Sequence, residues 1–285
     1  MSTRPIKLRI SSMEVSEGAG VTVRRSLGLP SLRHLDPFLM LDHFSTENPD
    51  DYIAGFPDHP HRGFVTLTYM IDGHMLHQDS MGNRGDLRPG GAQWMKAASG
   101  VIHSEMPQQS EGLMRGFQLW INLPAAEKMS DPAYQEFSRD VVPDVQIGDA
   151  RIRVISGELS GVRGPVDDPH TGVQFLDITL GPAATASIPT EPSAAAFIYV
   201  FEGVASIAGI PVATHELAAL GEGRGLELSA GEAGARAILV VGRPLHEPIV
   251  QYGPFVMNTM EEVAQAFADL REGRLVRKRG SVVAA

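Results

Sequence analysis

The 285-residue chain contains no cysteine, which excludes disulfides, thiolate metal ligands and cysteine nucleophiles together. It also lacks any uninterrupted apolar run near the roughly 18 residues that a membrane-spanning helix needs. The opening Met1-Ser2-Thr3-Arg4-Pro5 has none of the apolar core of a signal peptide. Positive charge is scarce, with 24 Lys and Arg against 34 Asp and Glu, for a net charge of −10. A direct nucleic-acid binder needs a basic patch to neutralise phosphates. The nearest one is Arg271, Arg274, Arg277, Lys278 and Arg279, which closes a predicted helix, where cations complement the C-terminal dipole. No Gly-x-Ser-x-Gly elbow supports a serine hydrolase. Gly221-Glu222-Gly223-Arg224-Gly225 lacks the strand-to-helix setting of a phosphate cradle. The expectation is a protein of the cytoplasm, with the nucleus the alternative for a eukaryotic source, that engages neither membrane nor nucleic acid directly.

Glycine and proline are abundant instead, 30 and 20 residues, scattered between short apolar stretches. That punctuation reads as many strands joined by turns, an all-β sandwich or barrel. Strands are predicted at 64–71, 116–122, 150–156, 173–180, 196–201 and 237–241, several alternating apolar with polar residues. The polar, prolyl stretch from Pro124 to Val142 reads as an interdomain linker. The division is therefore an N-terminal domain over 1–124, a linker over 125–145 and a C-terminal domain over 146–285. Near the end, Thr259 and Glu262 have the spacing of a capping box, and Val263, Ala266, Phe267 and Leu270 follow at helical intervals. A faint repeat relates Tyr69-Met70-Ile71-Asp72-Gly73 to Tyr199-Val200-Phe201-Glu202-Gly203. Aligning their glycines sets Pro189 opposite His59 and Glu191 opposite His61.

Two motifs carry chemistry. His59-Pro60-His61 and His103-Ser104-Glu105 each place two metal-ligand types at i and i+2, which share one face of a strand. Extending the first alternation puts Gly63, Val65, Leu67, Tyr69 and Ile71 on the same, mostly apolar face. The turn Leu87-Arg88-Pro89-Gly90-Gly91 would deliver the second strand beside the first. Three imidazoles and one carboxylate would hold a divalent transition metal and leave coordination positions open. Fe(II), Mn, Ni, Cu and catalytic Zn all suit that donor set. His77 and Asp79 could support such a site, but exposed hairpin polarity is the favoured reading for them. His34 and His43 are taken as structural. Trp94 and Trp120 are read as core anchors, with Gln118 and Trp120 able to line a pocket mouth.

At His59-Pro-His-Arg-Gly63 and Gly100-Val-Ile-His-Ser-Glu105 the chain resembles the pirin family of bicupins. The likeness extends over Pro37-Phe-Leu-Met-Leu-Asp42, Gln93-Trp-Met95, Gly116-Phe-Gln-Leu-Trp-Ile-Asn-Leu-Pro124 and Pro248 to Thr259. The resemblance implies two stacked cupin barrels, with a metal, typically iron, in the N-terminal one only. The family's ligand positions fall on His59, His61, His103 and Glu105. Many members carry a glutamate shortly after the first motif, where this chain has Val65 and Thr66; that departure leaves Glu105 as the carboxylate and as the candidate catalytic base. The implied activity is a quercetin 2,3-dioxygenase-like cleavage of a flavonol by O2, releasing carbon monoxide and leaving a depside. The alternative is a metal-responsive regulator that binds a transcription factor or a metabolic enzyme.

Overall fold

The strands and the helix stand where alternation and capping predict them. In the structure, a computed structural model that describes residues 2–277, strands run over Phe64–Asp72, Met114–Asn122, Ala150–Ser156, Gln174–Leu180, Ala195–Ile207 and Gly225–Gly242. The last two extend well beyond the predicted segments because both bend through register shifts and keep pairing. The α-helix Met260–Arg271 begins at a complete capping box: the Thr259 side chain accepts from Glu262 N, and the Glu262 carboxylate accepts from Thr259 N. Among the described residues no helix is long and apolar enough to cross a membrane. Lys278 and Arg279, part of the basic tail, lie outside the described residues.

The chain forms two compact units, and neither is continuous in sequence. One comprises, among the described residues, 2–13, 24–37 and 140–244. Its sheet runs, in spatial order, Ile6–Ser11, Glu216–Leu220, Ala195–Ile207, Gly225–Gly242, Gln174–Leu180, Ala150–Ser156 and Asp144–Ile147. Its core is aliphatic, built from such residues as Ile152, Leu176, Ile198, Leu226 and Leu239. The N-terminal strand thus belongs here, pairing antiparallel with Glu216–Leu220, rather than with the domain predicted over 1–124.

The other unit comprises residues 14–23, 38–139 and, among the described residues, 245–277. One of its sheets holds Ala133–Phe137, Ala92–Lys96, Phe64–Asp72, Met114–Asn122 and Phe38–Thr46 as successive neighbours. A second holds Phe56–His61, Val101–Pro107, Met75–Asp79 and Arg84–Leu87. The stretch read as a linker is therefore built into this unit, since Ala133–Phe137 pairs with Ala92–Lys96. All five of its residues are half-buried, so it shows no clear alternation that a sequence reading could detect. The C-terminal helix packs here too, where Ala266 joins Phe255 and Leu275 in a small apolar cluster.

Candidate metal centre

The two histidine motifs are neighbours across an antiparallel ladder. Val101 lies opposite His61 and His103 opposite His59. His61 and His103 are buried and His59 is half-buried, with one ring nitrogen from each within 4.8 Å of the others. Ring centroids are 4.3 Å apart for His59 and His103 and 5.0 Å for His61 and His103. No hydrogen bond of normal geometry reaches either nitrogen of His61 or Nε2 of His103, the Pro254 carbonyl making only a minor contact with His61. Buried polar atoms are rarely left so, because each costs about 1–3 kcal/mol of desolvation. His59 Nδ1 lies 2.8 Å from the Pro57 carbonyl, the contact that makes Nδ1 the donor and frees Nε2 as a lone pair. Burial first, and then the neighbouring imidazoles, hold His61 and His103 well below the ordinary imidazole range, so both rings are neutral and ready to ligate. A divalent transition metal fits these donors.

The alternation read through Gly63 does not survive. The chain leaves one sheet at His61 and enters the other at Phe64, passing through Gly63 at φ +90°. Parity slips by one residue there. Phe64 and Thr68 face the histidine side: Phe64 meets the His61 ring at 5.0 Å, and Thr68 reaches Glu105. Register places Thr68 beside Gln118 on one side and Gln93 on the other.

Those two glutamines grip Glu105. Gln93 Nε2 donates to Oε1 at 2.5 Å and Gln118 Nε2 to Oε2 at 2.7 Å. Gln118 Oε1 accepts from Trp120 Nε1, while the Tyr134 hydroxyl lies 3.1 Å from Gln93 Oε1 and 2.8 Å from the Glu136 carboxylate, which competes for its one proton. Burial and the Glu136 carboxylate push Tyr134 up, keeping it a neutral donor. Donation from both sides stabilises a buried carboxylate and fixes its direction. Gln118, expected at a pocket mouth, lines the small space beside Glu105 and also holds its carboxylate. Gln93 and Tyr134 were not marked as site residues, because their role depends on pairing between distant strands.

Glu105 does not share one donor group with His59 and His61. It groups with His103 and His77, all three buried, with donor atoms within 4.8 Å of one another. His77 is thus no exposed hairpin residue. Register sets it opposite Glu105 and sets Asp79 opposite His103. Its Nδ1 lies 3.4 Å from His103 Nδ1 and its Nε2 lies 3.4 Å from Asp79 Oδ2, while Tyr134 stacks on its ring at 4.6 Å. Although burial pushes Asp79 up, hydrogen bonds from His77 and Asn83 hold it below the usual carboxylate range. An ionised Asp79 makes His77 Nε2 the protonated nitrogen. His77 Nδ1 then accepts from His103 Nδ1, leaving His103 Nε2 as a lone pair. Both contacts are long, so they orient the rings more than they bind them. His43 is structural as read, buried and stacked on Phe117 at 4.6 Å.

The residues after the first motif tie it to the C-terminal segment. Arg62 is 1% exposed; it donates to the Ser99 carbonyl at 2.6 Å and to Asp269 of the helix at 2.8 Å. A Cβ on Gly63 would lie 1.9 Å from the Val256 carbonyl oxygen, a distance no side chain tolerates. Buried Lys128 donates to the carbonyls of Gly63 and Val256 and to Asn122 Oδ1. The space beside Glu105 is small, about 20 Å³ between Val23, Asp42, Phe44, Phe56, Met75 and Gln118. That is room for about one water.

Comparison with known proteins adds a lineage to this geometry. The family model described as Pirin matches residues 20–121, and the one described as Pirin C-terminal cupin domain matches residues 175–276. A Pseudomonas aeruginosa protein named "Putative quercetin 2,3-dioxygenase" is 50% identical over 269 residues, covering 91% of this chain and 94% of its own. Human Pirin is 41% identical over 279 residues, covering 96% and 94%. The crystal structure titled quercetin 2,3-dioxygenase from Acinetobacter baumannii superposes with a TM-score of 0.90 at 29% identity, covering 99% of this chain and all of that one.

Proposed function

This chain belongs to the pirin family, with two cupin domains, and from that membership and its site we propose that it is a metal-dependent dioxygenase acting on a flavonol-like substrate with O2. One observation carries the reading: buried nitrogens of His61 and His103, reached by no hydrogen bond of normal geometry, converge beside His59 and next to a carboxylate held by two amides. His59, His61 and His103 would hold the metal, and Glu105, grouped in the structure with His77 and His103, would complete the set once its carboxylate turns toward them. Fe(II) is the first choice, and Mn, Ni, Cu and Zn suit the same donors. Such a metal, when bound, supplies Lewis acidity and orients substrate and O2.

The protein's own part is binding and proton handling. Glu105 accepts the proton of the flavonol hydroxyl, its direction set by Gln93 and Gln118. Phe64 and Trp120, stacked at 4.1 Å, flank His61 with apolar surface that keeps water from its ring. Purified protein loaded separately with Fe(II), Mn, Ni, Cu or Zn is mixed with quercetin under air. The proposal expects the flavonol's visible absorbance to disappear with release of carbon monoxide. Unchanged absorbance with every metal, while a known quercetinase bleaches the same solution, would sink it.

A second reading draws on the space beside Glu105, which at about 20 Å³ holds a water and is lined by no histidine. A metal-responsive regulator that binds a protein partner needs no substrate cavity. Partner capture that survives His59→Ala with His103→Ala, in protein without quercetin turnover, would favour that reading.

A further inference from the structure

The unit without a histidine pair has an open cavity of its own. A cavity of about 650 Å³ lies among residues 157–243, within the roughly 300–1,000 Å³ of small-molecule sites. Pro189 and Glu191, set opposite His59 and His61 by the internal repeat, line it. The second unit therefore keeps an open site where its ligand pair is absent. Arg4 holds that loop from within. Its buried guanidinium donates to Thr190 Oγ1 and the Gly221 carbonyl, both at 2.7 Å, and to the carbonyls of Ala194 and Glu191. Gly223 makes this possible, since a Cβ there would lie 2.7 Å from Arg4 N.

The charges around the cavity are unequally attended. Glu158 has Arg163 at 3.8 Å, and Glu191 lies in the field of Arg4. Arg224 and Arg243 also line the cavity, yet among the described residues neither guanidinium has a hydrogen bond or ion pair. In a chain with 34 acidic residues, two unpaired arginines at one cavity are conspicuous. Pro189 and Pro192 add apolar surface to the same lining. Arg224 belongs to the Gly221–Gly225 segment, which joins the strands Glu216–Leu220 and Gly225–Gly242. It is no backbone phosphate cradle, but it carries a cation to the cavity.

We propose that this cavity binds a small organic anion, a carboxylate on a flat apolar body. Arg224 and Arg243 meet the carboxylate, and the body lies on Pro189 and Pro192. The site is independent of the metal reading. Phthalate is the probe, with phthalamide as its uncharged counterpart, followed on the full chain by saturation-transfer NMR and calorimetry. Phthalate binds and phthalamide does not; Arg224→Ala and Arg243→Ala each weaken binding about tenfold. Both arginines are exposed, so melting temperature stays unchanged, and His103→Ala leaves phthalate binding intact. Absence of phthalate binding at millimolar concentration overturns the proposal, as does equal binding by the double arginine variant. Inorganic phosphate binding as tightly as phthalate also overturns it, because the apolar surface would then contribute nothing.

Discussion

His61 and His103 each pair burial with an unanswered nitrogen, and this sets how the metal-free protein responds to acid. Their folded pKa values lie well below the ordinary 6.5, so as pH falls through 6.5 the unfolded chain takes up protons that the fold refuses. Stability contributed by the neutral rings is full above 6.5 and declines below it. Nitrogen chemical shifts of the two imidazoles should report neutral rings at pH 6, and denaturant midpoints of the metal-free protein should fall as pH drops from 7 to 5. A second expectation concerns Asp79, which fixes His103 through His77. Asp79→Asn removes the charge that selects the tautomer, so metal affinity should drop about 10- to 100-fold, read by competition with a chelator, while the far-UV spectrum stays unchanged. The metal-ligating types at i and i+2 were legible from spacing because strand geometry is local. The support from His77, Gln93 and Tyr134 was not, because it arises from register between strands that local pattern does not pair.

At the scale of elements, the helix Met260–Arg271 packs in the histidine-bearing unit, through Arg62, rather than in the C-terminal domain predicted over 146–285. Its apolar spacing and capping box were legible because both are periodic or local. Its partner was not legible, since Arg62 and Asp269 are joined only by the fold. Asp269→Ala leaves a buried guanidinium without its carboxylate. The carboxylate stands at the rim of the contact, so the expected loss is about 2 kcal/mol, below that of a fully buried pair, read as a lower urea midpoint with unchanged m-value. The sheet switch at Gly63 shows why parity could not be extended from the first motif. A glycine at positive φ against the Val256 carbonyl changes which residues face inward, and sequence alternation carries no mark of it.

For the whole molecule, the all-β class and the two cupin domains were legible from punctuation and family likeness, and the exchange of termini was not. Residues 2–13 join one unit and residues 245–277 the other, pairings made over more than a hundred residues of intervening chain. Among the described residues, only one unit carries a histidine cluster. Metal binding should therefore slow amide hydrogen exchange in the strands Phe56–His61 and Val101–Pro107 and leave Gln174–Leu180 unchanged; ligand at 100 times its dissociation constant contributes about 2.7 kcal/mol. The central claim, that two short histidine motifs make one metal site, is tested most directly by metal-to-protein stoichiometry from elemental mass spectrometry. About one divalent metal per chain in the parent, and none above background in the His59→Ala, His103→Ala double variant, is the predicted result. Undiminished metal in that variant would contradict it.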